Sequence, residues 1–180
     1  MREGSSCRRQ KAAPRYYQEN KVKSNQRSVE ASLVWLAVLG GIGRAPVASG
    51  SVATLVAGVP AAWVMSTIRQ PLYGAVLLTA FLLVSWLACD VAANKLGKKD
   101  PREVVVDELA GYLVTMFALP ATLLSLAIGF LLFRIFDIWK PWPIRVADTK
   151  VPGGLGILLD DLLAGLAAHL LLRAILALLG

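Results

Sequence analysis

Long apolar runs that contain almost no charge constrain this chain more than any other feature of its sequence. A shorter run covers residues 33–42, and four long runs cover residues 52–68, 72–89, 109–133 and 162–179. A helix needs about 20 apolar residues to span the hydrocarbon core of a bilayer. A soluble chain of 180 residues would cover its core with charged groups, but here 56% of the residues are apolar and the charges crowd into short segments. The pattern predicts an all-α fold, a polytopic membrane helical bundle.

Run length separates the spanning candidates from the partial ones. Runs 72–89 and 162–179 suffice for a spanning helix, and run 52–68 is marginal. Run 33–42 is too short, and we expect it to form a partial or re-entrant helix. Arg69-Gln70-Pro71 separates two of the runs, and a proline fits at the first turn of a helix. We therefore predict a tight turn between two helices there.

Residues 109–133 are compatible with two arrangements, because Pro120 lies in the middle of this apolar run. One kinked span would place Asp107 on the opposite side of the membrane from the carboxylates that follow the run. A hairpin that turns at Leu119-Pro120-Ala121 would bring all of them to one face. Short helices and a proline turn at membrane depth are tolerated where neighbouring helices cover them. We predict the hairpin, with helices that do not reach the far side of the membrane.

The net charge of +7 is concentrated near the N-terminal end, where residues 1–30 carry eight Lys or Arg and three Glu. These residues show no apolar period, and we predict a disordered basic tail followed by a membrane-embedded domain over residues 31–180. Basic residues beside apolar segments follow the positive-inside rule and attract anionic lipid headgroups. We therefore expect the tail to lie in the cytoplasm, and we expect no nucleic-acid partner.

Carboxylates beyond the tail gather mostly at the ends of the apolar runs, and all nine lie between Asp90 and Asp161. Two segments share a pattern, Asp107-Glu-Leu-Ala-Gly111 and Asp161-Leu-Leu-Ala-Gly165, in which Ala and Gly follow the carboxylate at i+3 and i+4. Those small residues lie on the carboxylate's own face of a helix, so another backbone can approach closely there. Two such helices, packed together, would present their carboxylates side by side.

Adjacent carboxylates repel one another unless protons or a cation neutralise them, and hard oxygen ligands suit Mg²⁺. Helix capping and the helix dipole explain one acidic pair without any metal. Two pairs together with a further aspartate favour a metal site instead. The candidate catalytic and metal-binding residues are Asp107, Glu108, Asp137, Asp160 and Asp161.

Basic residues near these carboxylates are candidates for binding phosphate oxygens, because Arg offers a two-pronged donor and Lys a point charge. We assign this role to Arg134, Lys140 and Arg145. Two alternatives stay open: Arg134 and Asp137 can form a simple i,i+3 ion pair, and the other two cations can reach out to lipid phosphates. A glycine-rich loop around Gly50 and Ser51 adds backbone N–H groups, although glycines in membrane loops are commonly turns.

Three motifs in combination resemble those of the phosphatidylglycerophosphatase A family, over about residues 40–165. They are Val106-Asp107-Glu108-x-x-Gly111, then Phe133-Arg134-x-x-Asp137-x-x-Lys140-Pro141-x-Pro143-Ile144, then Gly153-Gly154-x-Gly156-x-x-x-Asp160-Asp161-x-x-Ala164-Gly165. The resemblance implies a Mg²⁺-dependent, multi-pass hydrolase of the bacterial inner membrane. Its lipid substrate would be phosphatidylglycerophosphate, which it would convert to phosphatidylglycerol. The first loop departs from the family pattern Pro-Gly-Thr-x-Gly-Ser, since this chain has Ser49-Gly50-Ser51-Val52-Ala53-Thr54.

Other function classes fit the sequence less well. Neither Cys7 nor Cys89 begins a Cys-x5-Arg phosphate loop, which argues against thiol phosphatase chemistry. The only histidine, His169, lies within the last apolar run, which argues against a phosphohistidine. The Asp-Gly-x-x-Ala-Arg run of enzymes that transfer alcohols to CDP-lipids is missing. A membrane transporter or cation-binding protein remains the alternative, since it too would use intramembrane carboxylates and broken helices.

Overall fold

The computed structural model describes residues 15–98 and 100–179, with side chains from residue 23 onward, and these residues contain helices and no strand. Leu39–Arg44 form a 3₁₀ segment and Thr54–Gly58 a π-helical turn that joins the second and third α-helices. The prediction of an all-α fold is confirmed. In chain order the α-helices are α1 (Arg15–Ala37), α2 (Ser49–Ala53), α3 (Val59–Ser66), α4 (Pro71–Leu96), α5 (Val106–Met116), α6 (Leu123–Trp139), α7 (Ile144–Lys150) and α8 (Gly153–Leu179).

Within the described residues, three helical stretches are long and apolar enough to cross a membrane, namely Ser49–Ser66, Pro71–Leu96 and Gly153–Leu179. The first reaches this length because the helix begins before the apolar run that we judged marginal. Each stretch exposes large apolar side chains, among them Trp63, Leu77 and Leu170. Lipid is the environment that such a surface requires. The prediction of a membrane helical bundle is confirmed, and Pro71 begins α4 after the expected turn.

Helices α5 and α6 form the predicted hairpin, with Pro120 in the connection. A capping box begins α6: the Ser125 N–H donates to Thr122 Oγ1 at 3.2 Å, and the Thr122 N–H donates to Ser125 Oγ at 2.9 Å. The Tyr112 hydroxyl, from α5, donates to the Leu126 carbonyl at 2.9 Å and ties the two helices together. These contacts satisfy polar groups that the turn would otherwise leave unpaired.

The tip of the hairpin lies beside the loop between α3 and α4. Both segments line a cavity of about 290 Å³, whose lining includes Arg69 from the loop and Met116 and Pro120 from the hairpin. The depth that the two helices reach in a membrane stays a prediction.

Helix α1 begins at Arg15, inside the segment that we expected to be disordered, and residues 1–14 lie outside the described residues. Described side chains from residue 23 to residue 32 are exposed, and burial begins only at the end of the helix, where Ala37 is fully buried. The Ala37 carbonyl accepts a hydrogen bond from the Val105 N–H at 2.9 Å. Packing thus fixes only the last turns of α1, and the division of the chain at residue 30 stays a prediction.

Helices α5 and α8 pack through their glycines, as the sequence pattern predicts. An added Cβ on Gly165 would overlap the Gly111 carbonyl oxygen, and one on Gly111 would lie 2.7 Å from the Asp161 carbonyl oxygen. Thr115 Oγ1 lies 3.0 Å from the Gly111 carbonyl oxygen and 3.3 Å from that of Gly165, so it bonds at the seam between the helices. This contact between backbones sets the first turn of α5 beside residues 160 and 161 of α8.

Candidate active site

A polar cavity of about 1030 Å³ opens at one end of the bundle. The N-terminal ends of α2, α5 and α8 and the C-terminal end of α6 meet there, because the α5–α6 hairpin returns the chain to the face from which α5 departs. Eight of the ten residues that we singled out from the sequence line this cavity. They are Gly50, Asp107, Glu108, Arg134, Asp137, Lys140, Asp160 and Asp161.

Three carboxylates form the centre of the cavity. One oxygen each from Asp107, Glu108 and Asp161 lies within 4.8 Å of the others. Asp107 and Asp161 are buried, and Glu108 is partly buried. Asp107 Oδ1 and Glu108 Oε2 are buried without a hydrogen-bond partner among the described residues. Like charges this close require protons or a cation to offset them, and unpaired hard oxygens are the ligands that a divalent cation prefers.

Lys140 connects two further carboxylates at the edge of the cluster. Its Nζ donates to Asp160 Oδ2 at 2.5 Å and pairs with Asp148 Oδ1 at 3.1 Å. Burial by itself lowers the pKa of Lys140, but these two carboxylates more than reverse that effect, so the pKa is raised above its usual value. The ammonium group therefore stays charged. The other oxygen of Asp160, Oδ1, is buried and has no partner among the described residues.

Arg134 and Asp137 form the ion pair that their i,i+3 spacing allows, with Nη1 and Oδ2 2.7 Å apart. Both side chains also line the cavity, and only 17% and 12% of their respective side-chain surfaces are exposed. Arg134 Nε is buried and has no hydrogen-bond partner among the described residues, so the guanidinium keeps a donor for an anion. The metal-binding role that we predicted for Asp137 stays a prediction beside its observed role as a partner of Arg134.

The glycine-rich loop contributes through Gly50 and not through Ser51. An added Cβ on Gly50 would overlap Glu108 Oε1, so only glycine lets the start of α2 approach that carboxylate. Ser51 lies inside α2 and is not among the described residues that line the cavity. Ser49 does line it, and its hydroxyl donates to the Arg102 carbonyl at 3.1 Å. Residues i and i+2 of a helix do not face the same side, so the first turn of α2 places Ser49 at the cavity and Ser51 away from it.

Arg145 is the second predicted residue that lies outside the carboxylate cavity. It lies on α7 and lines a separate pocket of about 600 Å³ between Trp139 and Trp142. It shares that pocket with Lys140, as their spacing in the sequence suggested, but unlike Lys140 it does not line the carboxylate cavity.

The sequence patterns did not point to seven further polar residues that line the carboxylate cavity, namely Arg44, Ser49, Asp100, Arg102, Glu103, Asp148 and Thr149. The glycine-rich loop signalled the first two, since we had noted it as a candidate phosphate cradle. The basic segment around residues 95–102 contains Arg102, but its charges also fit the positive-inside rule and so did not indicate a site. No spacing rule pairs Asp148 with Lys140, because the turn between them is a property of the fold.

The fold and the cavity define a class of protein: a helical membrane protein whose site combines clustered carboxylates, which suit a divalent cation, with cationic side chains, which suit an anion. Comparison with known proteins identifies the family. The sequence model of the phosphatidylglycerophosphatase A family matches residues 35–176. The chain belongs to the phosphatidylglycerophosphatase A family, and it is a phosphatase.

Relatives with curated names support this assignment. A phosphatidylglycerophosphatase A of Escherichia coli is 39% identical over 131 residues, which cover 72% of this chain and 75% of the relative. A putative phosphatidylinositol-3-phosphatase of Bacteroides thetaiotaomicron is 34% identical over 73% of this chain and 86% of the relative. A phosphatidylglycerophosphatase A of Haemophilus influenzae is 38% identical over 53% of this chain and 58% of the relative. No solved structure matches the chain.

Proposed function

We propose that this chain hydrolyses the terminal phosphate of phosphatidylglycerophosphate, which yields phosphatidylglycerol and inorganic phosphate in phospholipid biosynthesis. The names of the relatives from E. coli and H. influenzae supply the substrate. The observation that carries the proposal is that Arg134 and Lys140 line the same cavity as the three clustered carboxylates. A phosphomonoester requires cations for its oxygens, and the chemistry of its transfer is mainly positioning and electrostatic stabilisation.

Mg²⁺ is the ion that we propose for the carboxylate cluster. The donor set fits it, since the oxygens are hard and three of them, Asp107 Oδ1, Glu108 Oε2 and Asp160 Oδ1, have no partner among the described residues. In this proposal Asp107, Glu108, Asp137, Asp160 and Asp161 hold the ion, either directly or through water. When bound, such an ion supplies Lewis-acid stabilisation of the charge on the phosphoryl group.

The protein's own side chains position the phosphate. Arg134 and Lys140 bind its oxygens, and each cation is held in place by a carboxylate partner, Asp137 for the first and Asp160 for the second. Water is the proposed nucleophile, and a carboxylate of the cluster accepts its proton. Direct attack by an aspartate, which would form a covalent aspartyl phosphate, is the alternative.

The proposed location is the inner membrane of a bacterium, with the cavity facing the cytoplasm. Exposed Trp139 and Trp142 line a pocket that shares Lys140 and Thr149 with the cavity, and tryptophan prefers the level of the lipid headgroups. Basic residues of the segment that leads into α5 lie at the same end of the bundle, which the positive-inside rule assigns to the cytoplasm. The headgroup of a lipid in that leaflet would lie at the height of the cavity.

Phosphate release by the purified protein tests the proposal. In neutral-detergent micelles we expect release from phosphatidylglycerophosphate with Mg²⁺ and none after chelation with EDTA. Phosphatidylinositol 3-phosphate, the substrate named for the relative from B. thetaiotaomicron, is the comparison substrate. Faster release from it would replace the proposed substrate, and no release from either lipid would favour the transporter or cation-binding alternative.

A further inference from the structure

We infer that the pocket around Arg145 is a second anion subsite, which binds the phosphodiester of the lipid substrate while the terminal phosphate occupies the carboxylate cavity. The inference rests on the proposed function, because it concerns the same substrate. We call this pocket the outer pocket; the residues that matter here are Trp139, Lys140, Trp142, Arg145 and Thr149.

The outer pocket adjoins the carboxylate cavity. Lys140 and Thr149 line both spaces, so these two side chains form the boundary between them. Lys140 faces its carboxylate partner Asp160 on the inner side, whereas Arg145 lies only on the outer side. A single extended ligand that passes Lys140 would therefore meet Arg134 in the carboxylate cavity and Arg145 in the outer pocket.

The carboxylate cavity contains both acidic and basic side chains, whereas the charged side chains that line the outer pocket are basic. The carboxylate cavity contains the acidic cluster, which suits a phosphate only together with a cation. No carboxylate is among the described residues that line the outer pocket, and its charged side chains are Lys140 and Arg145. The outer pocket therefore suits an anion that needs no metal, and a phosphodiester carries one negative charge.

The substrate has the matching chemistry. Phosphatidylglycerophosphate carries a phosphodiester that joins its glycerol headgroup to the lipid, and a phosphomonoester at the far end of that glycerol. The diester thus lies nearer to the acyl chains than the scissile phosphate does. Trp139 and Trp142 line the outer pocket, and 74% and 82% of their respective surfaces are exposed. Exposed tryptophans of membrane proteins concentrate at the level of the lipid headgroups. The outer pocket therefore lies on the side from which the acyl chains must come.

Arg145→Gln tests the inference, and Lys150→Gln is the matched control, since Lys150 is an exposed cation on the same helix that lines neither space. Both proteins are assayed with Mg²⁺ and phosphatidylglycerophosphate in neutral-detergent micelles, where no anionic bilayer attracts a surface arginine. For Arg145→Gln we expect KM to rise about tenfold, the effect of one lost charge-assisted hydrogen bond, with kcat unchanged. Arg145→Lys, which keeps the charge, should recover part of the loss.

Inhibition by the two products separates the subsites. Phosphatidylglycerol retains the diester, so its inhibition constant should rise about tenfold in Arg145→Gln. Inorganic phosphate competes with the scissile phosphate in the carboxylate cavity, so its inhibition constant should stay unchanged. An Arg145→Gln enzyme that matches Lys150→Gln in all these constants overturns the inference but leaves the proposed function intact. A rise in the phosphate constant would instead place Arg145 at the scissile phosphate, and a wild type inactive on this lipid would overturn both proposals.

Discussion

Asp161 is the side chain on which the proposed metal site depends most directly, because it is the member of the carboxylate trio that comes from α8. Asp161→Asn keeps the shape of the side chain but removes its charge. We expect turnover to fall roughly a thousandfold, which corresponds to about 4 kcal/mol of transition-state stabilisation. The protein should remain folded, since removal of one like charge from a buried cluster relieves repulsion.

Two measurements on Asp161→Asn separate a metal ligand from a structural residue. Thermal unfolding in EDTA should occur at or above the wild-type temperature, and the stabilisation that Mg²⁺ gives the wild type should be lost. Glu30→Gln, a change at an exposed carboxylate of α1, is the control and should retain both activity and the Mg²⁺ effect. Normal turnover in Asp161→Asn would exclude this residue from the metal site.

A substitution at Gly50 tests how closely α2 must approach the Glu108 carboxylate of the cluster. Gly50→Ala forces Glu108 to move, because the new Cβ would overlap Glu108 Oε1, and the change stays local to the first turn of α2. We expect at least a tenfold loss of turnover, or about 1.4 kcal/mol, with no loss of folded protein. Gly74→Ala is the control, since the added Cβ there would lie 3.6 Å from Phe117, an ordinary contact. Equal activity in the two variants would show that Glu108 does not need its present position.

At the scale of helices, the contact between α5 and α8 determines how close the carboxylates of the two helices lie. Gly165→Ala places a methyl group on the Gly111 carbonyl and must push the helices apart. We expect the free energy of unfolding to fall by about 1–3 kcal/mol, the usual cost of overpacking, and the Mg²⁺ concentration for half-maximal activity to rise. Thermal unfolding and Mg²⁺ titration measure the two effects. Leu170→Ala, at an exposed position of the same helix, is the control and should change neither the free energy of unfolding nor the Mg²⁺ requirement. A Gly165→Ala protein with wild-type Mg²⁺ dependence would contradict the prediction.

Local patterns in the sequence specify much of this architecture. The Ala-Gly pairs after Asp107 and Asp161 predicted the close contact between two helices, because each pair lies one helical turn from its carboxylate and on the same face. Pro120 marked the hairpin, because a proline interrupts a helix at its own position. The position of Arg145 could not be predicted, since it depends on the direction that α7 takes after the turn at residues 140–143.

At the scale of the whole molecule, the cavity requires that its contributing segments lie on one side of the membrane, which we assign to the cytoplasm. Single cysteines introduced by Glu103→Cys and Lys150→Cys, in a variant that lacks Cys7 and Cys89, test this arrangement. Both should react with an impermeant thiol reagent only after the cytoplasmic side is opened, since no group on the far side of a core about 30 Å thick can reach a shared ion. Arg69→Cys, in the loop between α3 and α4, should react in intact cells.

The outcomes of the labelling are distinct. Labelling at position 150 but not at position 103 in intact cells would mean that the α5–α6 hairpin is one span and that no shared site exists. Labelling of both in intact cells, with position 69 protected, would keep the site but reverse its orientation.

The contact between the glycines of α5 and α8 also limits how the family can diverge. Where two helices contact each other through side chains, evolution can replace one residue by a larger one if a smaller residue on the other helix compensates. Gly111 and Gly165 contact each other through their backbones, and no residue is smaller than glycine. A larger residue at either position therefore cannot be compensated at the other. Large apolar side chains that are exposed, such as Leu72 and Leu123, are not held by such a contact and are free to vary with the membrane. The differences from the 39% identical E. coli relative should accordingly be concentrated on the lipid-facing surface, and the seam between the two helices should have changed least.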